Sequence, residues 1–308
     1  MGYAPVIASG FPHLQFLIER QLAVFPAHAP FLEKRFSSLG AESLIFADGI
    51  AEKVMQIAGK QLDRVCEDYC WLSAAVLEEE LHFRRSGHYR LSTFEQADRE
   101  VYSKPQYMTR YMNGLLISQL WWRNHTETLQ FFRDEFVAKS PCGVTHLEIG
   151  PGHGLFLYLA AASGSCAAAE AWDITDSSLA QTRLALEAMQ LQRAVSLKRV
   201  NMFHAPKAQF SSIAFSEVLE HLEQPRYALS ILRELLTDDG RMFLNAPVNS
   251  PAPDHLYLFE TPEQLLQMIT DAGFAIERSQ LSPATGATLE RARKHKLTIS
   301  VSAIVRKG

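Results

Sequence analysis

The chain has 308 residues, room for two domains or for one domain with a large extension. Its 47% hydrophobic and 21% charged content is ordinary for a globular protein, and its net charge of −4 argues against a general nucleic-acid binder, which carries an excess of Lys and Arg. No apolar run is long enough to cross a bilayer, and the opening residues Met1 to Val6 lack the basic flank and apolar core of a signal peptide.

A cytoplasmic protein with neither a membrane nor a nucleic acid as partner is therefore expected. The four cysteines, Cys66, Cys70, Cys142 and Cys166, read as buried reduced thiols rather than as a zinc site or a disulfide. Residues 10 to about 80 read as helices, with apolar residues at three- and four-residue spacing in Ala51 to Ala58 and Asp68 to Leu81. Leu81 to Ser92 alternates on both sides of Ser86-Gly87, as a β-hairpin does. Helices followed by a hairpin predict a winged-helix-like module. Such a module can read DNA or pack against a partner subunit, as in a homodimer. The acidic neighbours Glu67, Asp68, Glu78, Glu79 and Glu80 disfavour DNA.

From Lys104 to Val137 two helices are expected. The first carries Tyr107, Tyr111, Asn113, Trp121 and Trp122, and the second Phe131, Phe132 and Phe136. Pro105 suits a first helical turn. Aromatics at this spacing are core packing more often than substrate contacts, yet two aromatic helices just before a glycine-rich strand can lid a site. The stretch Lys139 to Gly143 is a boundary. The expected division is 1–104 for the helical module, 105–140 for connecting lid helices and 141–308 for a sheet domain.

That last part alternates strands and helices. Strands are expected at 145–149, 167–173, 196–200, 210–216 and 241–246, and helices at 154–163, 177–190, 226–236 and 261–272. The pattern implies a doubly wound, mostly parallel α/β sheet of the Rossmann-like kind. Ala275 to Leu281 and Leu297 to Val305 add an antiparallel edge.

The first strand runs into Glu148-Ile-Gly-Pro-Gly-His-Gly154 and then an Ala/Leu-rich helix. Glycine serves where backbone turns tightly or meets a ligand closely. A strand, a glycine turn and a helix start make a nucleotide-type site. Asp173 ends the second strand about twenty residues later, where an acid can take both ribose hydroxyls. Asp176 reads as the cap of the next helix, which leaves Asp173 for the ribose. Asn201-Met202-Phe203 would suit an adenine edge and face. The lone histidines His125 and His153 read as structural.

Glu148 to Gly154, Trp172-Asp-Ile-Thr175, Ser216-Glu-Val-Leu-Glu-His-Leu222, Leu236-Thr-Asp-Asp-Gly240 and Ala272-Gly-Phe274 occur in order. Together they resemble the class I S-adenosylmethionine-dependent methyltransferases, over about residues 140 to 308. The resemblance implies that Glu148 and Gly150 hold the methionine amino group, and that Gly152 and Gly154 let the chain pass close to the cofactor. It places Asp173 on the ribose, Ile174 against the adenine and Asn201 and Met202 around the base. Ser216 and Glu217 would lie near the sulfonium. Tyr107, Tyr111 and Asn113 sit on the expected cover helix and, with Glu217, are the candidate catalytic residues.

Methyl transfer mainly needs alignment, because the sulfonium is already activated. A hydroxyl acceptor also needs a base or a metal. Glu217, Glu220, His221 and His255 resemble the ligand set of the metal-dependent branch that methylates terminal RNA ribose, and the first part also resembles ubiquinone-pathway O-methyltransferases. Oxygen-rich ligation would suit Mg or Mn. The same Glu-His pair is widespread in metal-free members, where it orders the loop. The helical start resembles the dimerising domain of small-molecule O-methyltransferases. Those enzymes carry a catalytic His after the fifth strand, whereas Asn245 to Pro251 holds none.

The leading expectation is methylation of a small molecule at oxygen or nitrogen. One alternative is a cyclase of the same fold, like azetidine-2-carboxylate synthases. There the cofactor's own amino group attacks its γ-carbon and releases methylthioadenosine. Another is a non-catalytic, cofactor-sensing regulator.

Overall fold

The computed structural model describes residues 10–37 and 39–308. Four helices open it: α1 (Pro12–Val24), α2 (Ala29–Phe36), α3 (Ala41–Ala58) and α4 (Leu62–Ser86). In α4, Val65, Tyr69, Leu72 and Phe83 share the buried stripe that an amphipathic helix needs. Gly87 ends α4 at φ 78°, and its N–H donates to the Phe83 carbonyl.

The expected hairpin at 81–92 is absent. Leu81 to Ser86 continue α4, because the Glu79–Phe83 spacing extends its buried face. Tyr89 and Leu91 do alternate inward but pair with no strand. The module is helical and has no wing among the described residues.

A short helix, α5 (Phe94–Ala97), starts in a capping box between Thr93 and Gln96. A π-helical turn, Asp98–Tyr102, follows it. Then come α6 (Pro105–Trp121), α7 (Arg123–Phe131) and a second π-turn, Phe132–Val137. Helix α6 lies tightly on α4: a Cβ at Gly114 would stand 2.7 Å from the Leu72 Cβ.

The sheet holds β1 (Val144–Ile149), β2 (Cys166–Asp173), β3 (Val195–Arg199), β4 (Phe210–Ser216), β5 (Leu236–Val248), β6 (Phe274–Pro283) and β7 (Ile299–Lys307). Between them run α8 (Leu155–Ala162), α9 (Asp176–Ala188), α10 (Pro225–Leu235), α11 (Pro262–Asp271) and α12 (Leu289–His295). The last was not anticipated. The strand order is β3-β2-β1-β4-β5-β7-β6, with β1 to β5 parallel and β7 antiparallel to both neighbours. The order in which successive strands are laid down reverses between β1 and β4. Such a switch opens a crevice at the carboxyl ends of the strands, where ligands bind.

One apolar cluster runs from the first four helices through Trp121, Phe132 and Phe136 to Phe156, Phe243 and Ile304. A second, with Leu229, Leu232, Leu265 and Ile269 of α10 and α11, fills the other side of the sheet. Each fully buried Phe or Leu contributes about 1.5–3 kcal/mol. The helical start is thus packed onto the sheet and positions what α6 presents to the crevice. All four cysteines are free: Cys66 and Cys166 are buried as expected, Cys70 is half-buried and Cys142 is exposed. No helix among the described residues is long and apolar enough to cross a membrane.

Candidate functional site

The crevice is built from the glycine turn outward. Gly150 has φ 70°, and a Cβ there would stand 2.9 Å from Val218 Cγ2, just past β4. Only glycine accommodates both the left-handed backbone and the contact. A Cβ at Gly152 would meet Met112 Cε of α6 at 3.3 Å. Met112 of α6 therefore reaches the turn, and Val218, just past β4, abuts it. Gly154 leads into α8 at φ 76°.

Glu148, at the end of β1, is 3% exposed, and its Oε2 has no partner. Burial pushes its carboxyl well above the usual range. A carboxylate left like this is costly unless a cation meets it. His153 accepts the Leu155 N–H at Nδ1, and burial holds its pKa down at about 4.

At the end of β2, Asp173 folds back on its own turn. It accepts the Thr175 N–H at 2.9 Å and the Ser178 hydroxyl at 2.7 Å. The expected cap at Asp176 is corrected: Thr175 is the N-cap, accepting from the Ser178 N–H, while Asp176 is the first helical residue and pairs with Arg199. Ile174 is 42% exposed beside this turn. Asn201 caps its own 3-10 turn by accepting the Phe203 N–H, and Met202 is buried.

Three of the four expected metal ligands converge. One donor atom each from Glu220, His221 and His255 lies within 4.8 Å of the others. Both Glu220 oxygens are buried without a hydrogen bond, and burial, with the Glu217 charge adding, raises its pKa far above the ordinary value. His255 Nδ1 donates to the Ser250 carbonyl at 2.6 Å, which leaves Nε2 as a lone pair toward Glu220. His221 Nδ1 lies 3.1 Å from the Asp254 carbonyl, and its Nε2 likewise faces Glu220. Burial and the His221 charge hold the His255 pKa down at about 4. Glu217 is not in this group: its Oε1 accepts the Asn245 amide, which also reaches Ser216 Oγ.

On α6, Tyr107 stacks on Tyr111 and meets Trp71 edge-on. Tyr111 is buried and donates to Asp254 Oδ1 at 2.6 Å. Asn113, a candidate catalytic residue on the cover helix, donates to Asp68 on α4 at 2.9 Å, beside Arg110. One turn holds both arrangements, because residues two apart on a helix face different ways. His125 is half-buried against Trp122 and 2.9 Å from Ser118 Oγ, and the loss of solvent around its ring pushes its pKa down to about 3.

Tyr102, Tyr89, Asn245, Asp254 and Ser302 also build this region. Tyr102 donates to Asp254 Oδ2 at 3.3 Å and lies 3.2 Å from His221 Nδ1. The Tyr89 hydroxyl accepts the Ser250 N–H. Asp254 adjoins His255 in sequence, a signal that could have found it. Tyr102 lies 152 residues from Asp254, and no local pattern marks that pair.

A methyltransferase domain family model matches residues 121–279, just over half of the chain. No curated protein matches the sequence. Among solved structures, the mitomycin 7-O-methyltransferase MmcR superposes with TM-score 0.54 at 13% identity, covering 87% of this chain and 76% of its own. The pyocyanin biosynthetic protein PhzM superposes with TM-score 0.53 at 16% identity, covering 79% of this chain and 72% of its own. Both likenesses extend beyond the sheet into the helical start.

Proposed function

The chain belongs to the methyltransferase domain family of S-adenosylmethionine-dependent transferases, and from that premise we propose that it methylates a small molecule at oxygen or nitrogen beneath the α6 cap. The observation that carries this reading is the meeting of three elements at one point: Met112 of α6 on Gly152, and Val218 past β4 on Gly150. The cofactor residues we assign are Glu148, Gly150, Gly152, Gly154, Asp173, Ile174, Asn201, Met202 and Ser216. Glu148, with its unpartnered oxygen, takes the methionine ammonium. Asp173 exchanges its local donors for ribose hydroxyls. The glycine turn holds the cofactor, and α6 excludes water and aligns the acceptor, which lowers the entropic part of the barrier.

We assign 1–104 to a helical module, 105–140 to the cap and 141–308 to the cofactor domain. The free cysteines accord with a reducing cytoplasm, and the helical module is the surface we assign to homodimer formation.

The cyclase reading draws on the stacked pair Tyr107 and Tyr111, which could enclose a substrate-free cofactor. One experiment separates the two: mass spectrometry of the purified protein with S-adenosylmethionine alone, against an enzyme-free control. Intact cofactor, followed by S-adenosylhomocysteine once an acceptor is added, is the expected result. Rapid methylthioadenosine release with a new cyclic amino acid would overturn methyl transfer.

An ion of the Mg or Mn class is a further part of the proposal, resting on Glu220, His221 and His255. Its positive charge would satisfy the orphaned Glu220 oxygens. Two imidazoles and one carboxylate favour Mn over Mg, because nitrogen ligands suit transition ions. When bound, such an ion polarises an acceptor oxygen. Calorimetric titration of metal-stripped protein with Mn should give one site, lost in His255→Ala. No heat above the variant's would remove the ion from the scheme.

A further inference from the structure

We propose that Glu217 is the proton-accepting residue of the reaction, and that Asn245 and Ser302 are positioning residues that aim it. The proposal rests on the methyl-transfer reading and adds to it the class of acceptor.

Four independent features single out Glu217. The first is its backbone: φ is 53°, a left-handed conformation that costs any residue with a Cβ and that concentrates at functional sites. The second is its anchoring. The Glu217 N–H donates to the Asn245 carbonyl at 2.9 Å, and the Asn245 side-chain amide donates to Glu217 Oε1. Asn245 is itself held: its Oδ1 accepts the Ser302 hydroxyl at 3.2 Å, and Ser302 Oγ lies 3.4 Å from Thr128 Oγ1 of α7. Ser216, Asn245 and Ser302 are direct neighbours across β4, β5 and β7. With a hydroxyl donor on one side and a carboxylate on the other, the amide is satisfied in only one orientation.

The third feature is access. Glu217 is half-buried, and Oε2 has no hydrogen bond among the described residues. The neighbouring acids differ. Asp254 is 3% exposed and occupied by two tyrosine hydroxyls, and Glu220 is fully buried. The fourth is place: the next residue, Val218, touches the glycine turn at Gly150. Burial pushes the Glu217 carboxyl up to about 7, against the lowering pull of the Asn245 amide. Glu220 and Tyr89 are the ionisable groups that sense its charge.

The step balances as follows. The acceptor hydroxyl passes its proton to Glu217 Oε2, and an oxygen lone pair bonds the methyl carbon. The carbon–sulfur pair stays on sulfur, which yields S-adenosylhomocysteine, and Glu217 releases the proton to water. A carboxylate base takes the proton of an acidic hydroxyl far more readily than that of an aliphatic alcohol. The acceptor is therefore an acidic hydroxyl of the phenol or enol kind.

Two measurements on the full chain test this. In the first, protein labelled with carbon-13 at the Glu carboxyls is titrated by NMR. One carboxyl should titrate near neutral pH and vanish in Glu217→Gln. Asn245→Ala removes a donor to the charged form, so the midpoint should rise by about one pH unit. Ser302→Ala, the milder variant, should shift it the same way by less. No such carboxyl, or an unmoved midpoint in both folded variants, overturns the proposal. In the second, a panel of simple phenols and aliphatic alcohols is assayed for S-adenosylhomocysteine formation. Turnover of phenols alone, lost at least about 100-fold in Glu217→Gln with cofactor affinity kept, supports it. Turnover unchanged in that variant overturns it. Methylthioadenosine release by the wild type overturns the methyl-transfer reading instead, while the titration still reports on the carboxyl.

Discussion

The two halves of the crevice are wired differently. On the β1–β3 side Asp173 and Asn201 are satisfied within a few residues of themselves, by Thr175 and Ser178 and by Phe203. On the β4–β5 side they reach across the chain. Tyr111 bonds Asp254 143 residues away, and Ser302 bonds Asn245 57 residues away. A self-contained half keeps its shape when the rest of the molecule changes. The long-range half exists only when the helical start, the sheet and its antiparallel edge are docked together. The first suits a cofactor shared by many enzymes, and the second a partner particular to one.

The sharpest way to break this contrast is at the point where the halves touch. Gly150→Ala would put a Cβ against Val218 at a positive φ and is expected to weaken S-adenosylmethionine binding by on the order of 3 kcal/mol, read by calorimetry. Binding within twofold of wild type would mean that the turn is not the cofactor's seat. Asp173→Ala should cost about 1–3 kcal/mol of cofactor affinity and less stability, because its present partners are half-buried groups of its own turn. Equal losses in affinity and melting temperature would erase the distinction between the halves. Tyr111→Phe should show the opposite profile. It removes a donor from a buried carboxylate, so a stability loss of about 1–3 kcal/mol is expected by chemical denaturation.

A pH test adds a group in the sheet itself. His146 is buried, bonded at Nδ1 to Ser212, with Nε2 unpartnered, and burial pushes its pKa from 6.5 down to about 3. The unfolded chain therefore takes up this proton first. The stability His146 lends is present above pH 6.5 and is lost as pH falls from there toward 3. The stability gap between wild type and His146→Leu should move against the wild type across that window. A pH-independent gap would show that His146 is not held neutral. The smallest effect is expected at Thr175→Ala, which deletes the α9 cap and costs about 1 kcal/mol.

What was legible follows the same division. The glycine turn and the turns that hold Asp173 and Asn201 were visible in the sequence because each is formed by the few residues beside it. The strand and helix alternation after residue 143 was readable because periodicity is a local property. The hairpin at 81–92 was misread for a related reason: an alternating stretch of six residues is also compatible with the last turns of a long helix, and the α4 buried face decided in favour of helix. The bond of Asn113 to Asp68 was not legible, because spacing along α6 does not say which side meets α4. Glu217 was recognised as a residue of interest, but its separation from Glu220, His221 and His255 was not, since Asn245 and Ser302 lie far along the chain.

By itself, the sequence determined the α/β class, the order of the cofactor motifs and the helical character of the start, because each is written in residues close together. Only the tertiary structure decided that Tyr102 and Tyr111 meet Asp254, that Glu220 is left bare between two imidazoles, and that Glu217 is held by Asn245 of β5. Those relations arise when distant segments exclude water together. Burial then sets which polar groups find partners and which are left to meet a ligand.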